Sequence, residues 1–182
     1  MGRARAGILV GARSTIIHGG VRRMTMTAVA ERGGVAKATV YNHFRSRGEL
    51  LDGLLADELT QLLQVADEAG SSISAQLTAV ASSIARNPML DAIRQHEPEV
   101  LAGLTGFAAD DVAQRWLDVM ATIRARLAAQ GAHSDDIAVD FILRWLLSVV
   151  LAPAAPERLA VEASLVTAAV TAVESVTMGN SA

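Results

Sequence analysis

The amino-acid sequence predicts an all-α protein. About half of its 182 residues are apolar but only 3% are aromatic, so Leu, Val, Ile and Ala must fill the interior. Apolar residues recur at helical spacing along the chain, whereas strand-like runs are few and no Asn-Gly hairpin signal is present. The elements fall into two expected domains, an N-terminal three-helix domain (residues 1–50) and a larger helical domain (residues 51–182), joined by a long helix.

The first three predicted helices are separated by glycines. Apolar residues at helical spacing predict a helix from Arg3 to Ile17, which Gly19-Gly20 ends. A second helix begins at Thr25, whose hydroxyl can accept a bond from a backbone N–H, and it ends at Gly33-Gly34. A third, short helix is predicted from Ala36 to His43.

A long fourth helix follows the sequence Ser46-Arg47-Gly48-Glu49. This Ser-x-x-Glu pattern is a capping box, in which each side chain bonds the backbone N–H of the other residue. Leucines at helical spacing continue to Ala69, which gives a helix of about 35 Å at the standard rise per residue. Glycine and proline then separate further predicted helices at residues 73–86, 88–95, 98–105, 110–130, 135–151 and 156–177.

Charge is distributed unevenly along the chain. The first 50 residues hold nine Lys or Arg against two acidic residues, a net +7, whereas the remainder holds seven against seventeen, a net −10. A basic N-terminal part on an acidic body is typical of a polyanion-binding module joined to a separate functional domain. The alternative is a chance cluster of solvated arginines.

The sequence carries no signal for a membrane or secretory segment. The most apolar stretch, residues 137–151, is shorter than the roughly 20 residues that span a bilayer, and it contains Asp140 and Arg144. The N-terminus lacks a secretory layout, and the absence of cysteine excludes a disulfide framework. We therefore expect a cytoplasmic protein without membrane contact.

Metal binding and catalysis find little support. His96, Glu97 and Glu99 lie close together in the sequence QHEPE, but no second histidine follows at helical spacing, so the acidic residues are better explained by the start of the helix after Pro98. The four histidines are scattered, and no nucleophile motif or phosphate-binding glycine loop is present. We expect no metal, no cofactor and no catalytic residue.

The second and third predicted helices and the glycine turn between them form a helix-turn-helix arrangement. Val29, Val35 and Val40 can supply the apolar contact that holds the two helices together. Polar and cationic residues then lie on the outer side of the third helix, where they can reach base edges and phosphates in a major groove: Lys37, Thr39, Asn42 and His43. An ordinary helical hairpin with a solvated face is the alternative.

Residues 25–51, TMTAVAERGGVAKATVYNHFRSRGELL, resemble the DNA-binding segment of the tetracycline-repressor (TetR) family of bacterial regulators. Many positions match at the fixed spacing of that family: Thr25, Val29, Ala30, Gly34, Val35, Ala38, Thr39, Val40, Tyr41, His43, Phe44, Ser46, Arg47 and Leu50. The resemblance implies that the DNA contacts come from Thr25, Thr27, Lys37, Ala38, Thr39, Tyr41, Asn42, His43 and Arg47. Within this set, Arg47 would bind a backbone phosphate at the start of the long helix.

One position departs from the family pattern. The family usually has Ser where this chain has Ala36, so the recognition helix lacks its N-cap side chain. Loss of such a cap typically costs about 1 kcal/mol. We therefore expect the first turn of this helix to fray in the free protein and to become ordered on DNA.

The last two predicted helices are suited to contact with a second copy of the chain. Residues 137–151 are apolar nearly all round, so this helix must be buried on several sides, either in its own core or against a partner. The resemblance implies that the last two helices form a homodimer interface. Dimerisation would hold two recognition helices about 34–36 Å apart, the spacing needed to read a palindromic operator in double-stranded DNA.

A ligand pocket is also implied by the resemblance, because members of the family hold a small-molecule effector among apolar residues of the second domain. The candidates are Met89, Ile93, His96, Leu101, Leu104, Phe107, Trp116, Met120, Phe141, Arg144 and Trp145. Simple core packing is the alternative for each of them. The resulting prediction is a ligand-responsive repressor that a small, largely apolar molecule releases from DNA; the alternatives are a helical protein-interaction module or a small-molecule enzyme without DNA binding.

Overall fold

A computed structural model describes residues 2–103, 110–131 and 135–179. These residues form ten α-helices and no strand, so the predicted all-α class is confirmed. The helices are α1 (Arg3–Gly19), α2 (Met26–Gly33), α3 (Lys37–His43), α4 (Arg47–Glu68), α5 (Ile73–Ala85), α6 (Pro88–His96), α7 (Pro98–Gly103), α8 (Asp110–Ala129), α9 (Asp136–Leu151) and α10 (Pro156–Gly179). The first helix extends past its predicted end at Ile17, because the N–H of Gly20 still bonds the carbonyl oxygen of Ile16.

Contacts divide the chain into two compact units. The first unit comprises Met1–Leu63 and Arg86–Leu101, and the second comprises Gln64–Ala85 and Ala102–Ala182. The first unit therefore includes α6 and most of α7 in addition to the N-terminal helices. The expected domain boundary after residue 50 stays a prediction.

In the first unit, α1 lies against α2, α3 and α6. The contact with α2 is unusually close: a Cβ on Gly11 would lie 2.4 Å from the carbonyl oxygen of Val29, and one on Gly33 would lie 2.6 Å from that of Gly7. Only glycine lets the two backbones approach in this way. The aliphatic core around them includes Ile8, Leu9, Ala12, Ile16, Val29, Val40, Leu50 and Leu54.

An ionic network joins α1, α4 and the start of α6 within the first unit. The Arg13 guanidinium donates to Glu58 and, at 2.7 Å, to Asp57. Burial alone would lower the pKa of Arg13, but its hydrogen bonds to these two carboxylates raise that pKa above its ordinary value. Asn87, the N-cap of α6, donates to the other oxygen of Glu58 at 2.9 Å. These contacts fix α1 and α6 to the first part of α4.

The second unit has its own core. Small and branched aliphatic side chains from α5, α8, α9 and α10 form it: Leu77, Leu127, Ala138, Val139, Ile142, Leu143, Ala163, Val166 and Val170. Within the described ranges, no helix has the length and apolar character needed to cross a bilayer. The same ranges contain no cluster of His, Asp or Glu that could hold a metal ion.

Candidate nucleic-acid interface

The turn between α2 and α3 is formed by local capping contacts. The Thr25 hydroxyl accepts from the N–H of Ala28 at 3.1 Å and so begins α2, as the sequence predicts. Gly34 ends α2 in the left-handed region, at φ 62°, where a side chain would be strained. The N–H of Val35 then bonds the carbonyl oxygen of Ala30 at 3.0 Å. These bonds close a short turn that leads directly into α3.

The two sides of α3 differ sharply. Val40 is fully buried, and Phe44, just past the end of the helix, is also buried, so these residues attach the helix to the first unit. Thr39 is half-buried. The remaining predicted DNA-contacting residues of this helix are exposed: Lys37, Ala38, Tyr41, Asn42 and His43. Together they form the polar face of α3, which presents cationic, hydroxyl, amide and imidazole groups.

The first unit carries exposed positive charge, including Lys37 on this face. The Lys37 ammonium lies 6.0 Å from the centre of the Tyr41 ring, one helical turn away. No carboxylate of the described residues forms an ion pair with Lys37, Arg23 or Arg45, and all three are exposed. Their charges therefore remain available to a polyanion.

The start of α4 differs in two details from the sequence prediction. Ser46 accepts from the N–H of Glu49 at 3.1 Å, but the Glu49 carboxylate accepts from the N–H of Arg45, at 2.7 Å, one residue before the expected partner. Arg47 donates to the carbonyl oxygens of Met24, at 3.0 Å, and Val21, at 2.7 Å. Its guanidinium thus holds the turn between α1 and α2, and the expected phosphate contact stays a prediction.

Thr25 and Thr27 lie at the start of α2 and are exposed, on the same unit as the polar face of α3. At the start of α3, Ala36 occupies the N-cap position, and its side chain makes no capping bond. The structure therefore confirms that α3 has no side-chain N-cap.

Residues 8–54 match the family model for bacterial regulatory proteins of the tetR family. That segment contains the capped α2, the glycine turn, α3 and the start of α4. Over these residues the chain carries the N-terminal domain of the tetR family. No curated protein matches the sequence.

Solved structures share the fold of this chain. One, described as a TetR-family transcriptional regulator from Rhodococcus sp., has a TM-score of 0.67 at 19% identity and covers 94% of this chain and 100% of its own. A second structure, also described as a TetR-family transcriptional regulator, comes from Mesorhizobium loti MAFF303099. It has a TM-score of 0.59 at 18% identity, and the match covers 94% of this chain and 96% of the other. The family whose model matches residues 8–54 consists of bacterial regulatory proteins.

The predicted ligand-contacting residues are distributed over both units. In the first unit Met89, Ile93 and Leu101 are buried and His96 is exposed; in the second, Met120 and Trp145 are half-buried, and Phe141 and Arg144 are exposed. Leu104, Phe107 and the side chain of Trp116 lie outside the described residues. The Trp145 indole donates to Glu162 at 3.1 Å. A pocket formed by these residues stays a prediction.

A cleft of about 590 Å³ lies within the second unit, and none of the predicted ligand-contacting residues lines it. Its lining consists of Asp67, Gln76, Ala121, Thr122, Ala125, Arg126, Ala129 and Gln130. The Arg126 guanidinium binds both oxygens of Asp67, at 2.7 and 3.2 Å, and this hydrogen bonding lowers the pKa of Asp67 below its ordinary value. The Gln130 amide donates to Gln76 at 2.9 Å, while its own carbonyl oxygen is buried and meets no donor in the described part of the chain.

One contact of the first unit was not predicted from the sequence. The Glu97 carboxylate, from the junction of α6 and α7, accepts from the backbone N–H groups of Val21 and Arg22. The acidic side chain was expected at the start of the helix after Pro98, but it binds the turn between α1 and α2 instead. The only local signal is its place beside a proline at a helix end, and that does not reveal a partner 76 residues away.

Proposed function

We propose that this chain is a homodimeric, ligand-responsive repressor that reads a palindromic operator through the polar face of α3. The proposal is based on the exposure of the polar face of α3. The buried residues Val40 and Phe44 attach the opposite side of this segment to the first unit. Binding to chromosomal DNA requires the compartment that contains the DNA, which for a bacterial regulator is the cytoplasm. A single α3 of seven residues reaches few bases, and two copies at the spacing of a helical turn read a palindrome.

Exposed apolar residues on the last two helices support the dimer. On α9, Ile137 and Phe141 are exposed and lie one helical turn apart; on α10, Val161 and Leu165 repeat the same spacing. The two helices contact each other within the second unit. We call these four exposed residues the α9–α10 face. Large exposed apolar surfaces mark protein interfaces, and a second copy of the chain covers the face symmetrically.

The effector is a small molecule, largely apolar, that binds the second unit. The cleft in that unit supports this part of the proposal, because three alanines supply apolar surface beside polar groups that can orient a ligand. The buried carbonyl oxygen of Gln130 can accept from a hydroxyl or amine of the ligand. To release DNA, the ligand must bind the non-operator conformation more tightly than the DNA-bound one.

Selection from random-sequence duplexes tests the DNA-binding part. We expect the wild-type protein to enrich an inverted repeat, and its affinity for that duplex to fall steeply as salt rises. Lys37→Ala should reduce the slope of log affinity against log salt by about 1. Arg86→Ala is the matched control, because it removes the same charge from an exposed position of the first unit away from α3.

Equal slopes for Lys37→Ala and wild type would contradict the role of α3. Enrichment of a sequence without dyad symmetry would contradict the palindromic operator. We expect amphipathic small molecules to release the selected duplex. If Gln130→Leu abolishes this release and Lys37→Ala does not, the effector binds in the cleft.

A further inference from the structure

The Glu97 carboxylate is the most completely buried charged group of the described residues. Its residue is only 7% exposed, and both carboxylate oxygens accept backbone N–H bonds, from Val21 and, at 3.1 Å, from Arg22. Gly20 leaves room for it: a Cβ at Gly20 would lie 2.7 Å from the carboxyl carbon, and its φ of 80° also favours glycine. The backbone of this turn is therefore shaped around the carboxylate.

The same turn is held from a second direction. Arg47 donates to the carbonyl oxygens of Val21 and Met24, while Glu97 accepts from the N–H groups of Val21 and Arg22. All four bonds involve a charged side chain, and such bonds are stronger than those between neutral groups. The residues from Gly20 to Met24 thus have a fixed position relative to both α4 and the end of α6.

This turn leads directly into α2. Thr25 follows it as the N-cap, and α2 contacts α3 along the helix-turn-helix. A displacement of the turn would therefore move α2 and, with it, the polar face of α3. We propose that Glu97 is a positioning residue for DNA binding, which touches no DNA itself but fixes the orientation of α2 and α3 through the α1–α2 turn. This inference rests on the proposed role of α3.

The negative charge of Glu97 allows the positioning role to be distinguished from a direct electrostatic effect on DNA. A carboxylate in a DNA-binding unit repels the phosphate backbone, so its removal should by itself strengthen DNA binding. Glu99 offers the matched comparison: it lies two residues further on, is exposed, and pairs with the exposed Arg22 at 2.6 Å. Glu97→Gln and Glu99→Gln change the net charge equally, but Glu99 contacts the turn only through the exposed side chain of Arg22, whereas Glu97 binds the backbone of the turn.

The test measures affinity for the strongest duplex that wild-type protein recovers from random-sequence DNA. We expect Glu97→Gln to weaken binding about tenfold, or about 1.4 kcal/mol. Glu97→Asp should weaken it similarly, because the charge remains but the shorter side chain no longer reaches both N–H groups. Glu99→Gln should bind as tightly as wild type or more tightly. Hydrogen exchange should become faster at Val21 and Arg22 in the Glu97 variants only.

The outcomes separate the two proposals. If wild-type protein binds no duplex, the proposed function fails. If wild type binds but both Glu97 variants, folded by circular dichroism, bind as Glu99→Gln does, the positioning role fails and the role of α3 stands. If both Glu97 variants are unfolded, Glu97 is a folding residue and the positioning role is overturned as well.

Discussion

The polar face of α3 and the α9–α10 face are both exposed, but their side chains differ in chemistry. On α3 the exposed groups are cationic or hydrogen-bonding, and phosphates and bases are the kind of groups that such side chains bind. On α9 and α10 the exposed groups are aliphatic or aromatic, and they gain free energy only when another apolar surface removes them from water. Exposure alone therefore does not define a site. The chemistry of the exposed side chains indicates the class of partner.

The comparison also explains why only one of the two surfaces has a motif. Base edges and phosphates have fixed positions in a groove, so residue types at fixed spacing are required on α3. An apolar interface accepts many combinations of Leu, Val, Ile and Phe if their shapes fit. The family model accordingly matches residues 8–54 and includes none of the α9–α10 face.

The largest expected effect comes from a charge on the α9–α10 face. Leu165→Glu would place a carboxylate where an apolar side chain, 65% exposed in one chain, is expected to meet a second copy. In a symmetric interface every substitution occurs twice, so we expect a monomer at micromolar concentration and a loss of about a hundredfold or more in affinity for the selected operator. Sedimentation velocity and a binding titration measure the two effects.

Leu117→Glu is the control for this substitution, because Leu117 on α8 is similarly exposed, at 58%, and lies outside the face. It should leave the mass of the assembly unchanged. If both variants remain dimeric, the α9–α10 face is not the interface.

A second prediction concerns the close contact between α1 and α2. Gly11→Ala forces a methyl group against the carbonyl oxygen of Val29 and the backbone of Gly33, so the helices must separate. Forcing an extra carbon into such a contact should lower the free energy of unfolding of the first unit by about 2 kcal/mol. Chemical denaturation followed by circular dichroism measures it.

Gly48→Ala is the matched substitution in the first turn of α4. There the added Cβ meets only the Ser46 hydroxyl, at 3.7 Å, so the higher helix propensity of alanine should leave the protein equally or more stable. Equal losses of stability at both positions would show that the close approach of α1 and α2 carries no special cost.

These contacts mark what the sequence could and could not predict. Thr25, Gly34 and Ser46 cap helices through neighbours in the chain, so the bounds of α2 and the start of α4 were predictable from local chemistry. The contact across Gly11, and the reach of Glu97 to Val21, depend on residues that only the tertiary fold brings together. No local pattern distinguishes such residues from ordinary ones.

The apolar pattern of the second half had a related limit. Periodicity predicted α9 and α10 and the near-continuous apolar character of α9. It could not tell which apolar residues enter the core, as Ile142 does, and which remain on the surface, as Phe141 does. That distinction depends on how neighbouring helices pack, and the sequence of one helix does not contain it.

A third, smaller effect is expected at the start of α4. Arg47→Ala removes two bonds to the carbonyl oxygens of the α1–α2 turn together with one positive charge. Arg45→Ala removes the same charge from an exposed neighbour. Both should lower the salt dependence of DNA binding, but only Arg47→Ala should also lower the free energy of unfolding, by about 1 kcal/mol. Equal stabilities of the two variants would assign Arg47 to phosphate contact alone.

The smallest expected effect is a gain at the uncapped start of α3. Ala36→Ser supplies an oxygen that can accept from the N–H groups of the first turn, where the structure has no side-chain cap. A cap of this kind contributes about 1 kcal/mol, so hydrogen exchange in this turn should slow in the free protein. Ala38→Ser adds the same oxygen inside the helix, where it cannot cap, and should not slow exchange.

The added cap is expected to change the DNA affinity of α3 but not the dimerisation of the chain. If the first turn of α3 is frayed in the free protein and orders only on DNA, part of the binding free energy is spent on that ordering. Ala36→Ser would then strengthen operator binding, whereas the dimerisation constant set by the α9–α10 face would not change. Slower exchange without tighter binding would show that fraying of the first turn of α3 in the free protein does not cost binding free energy.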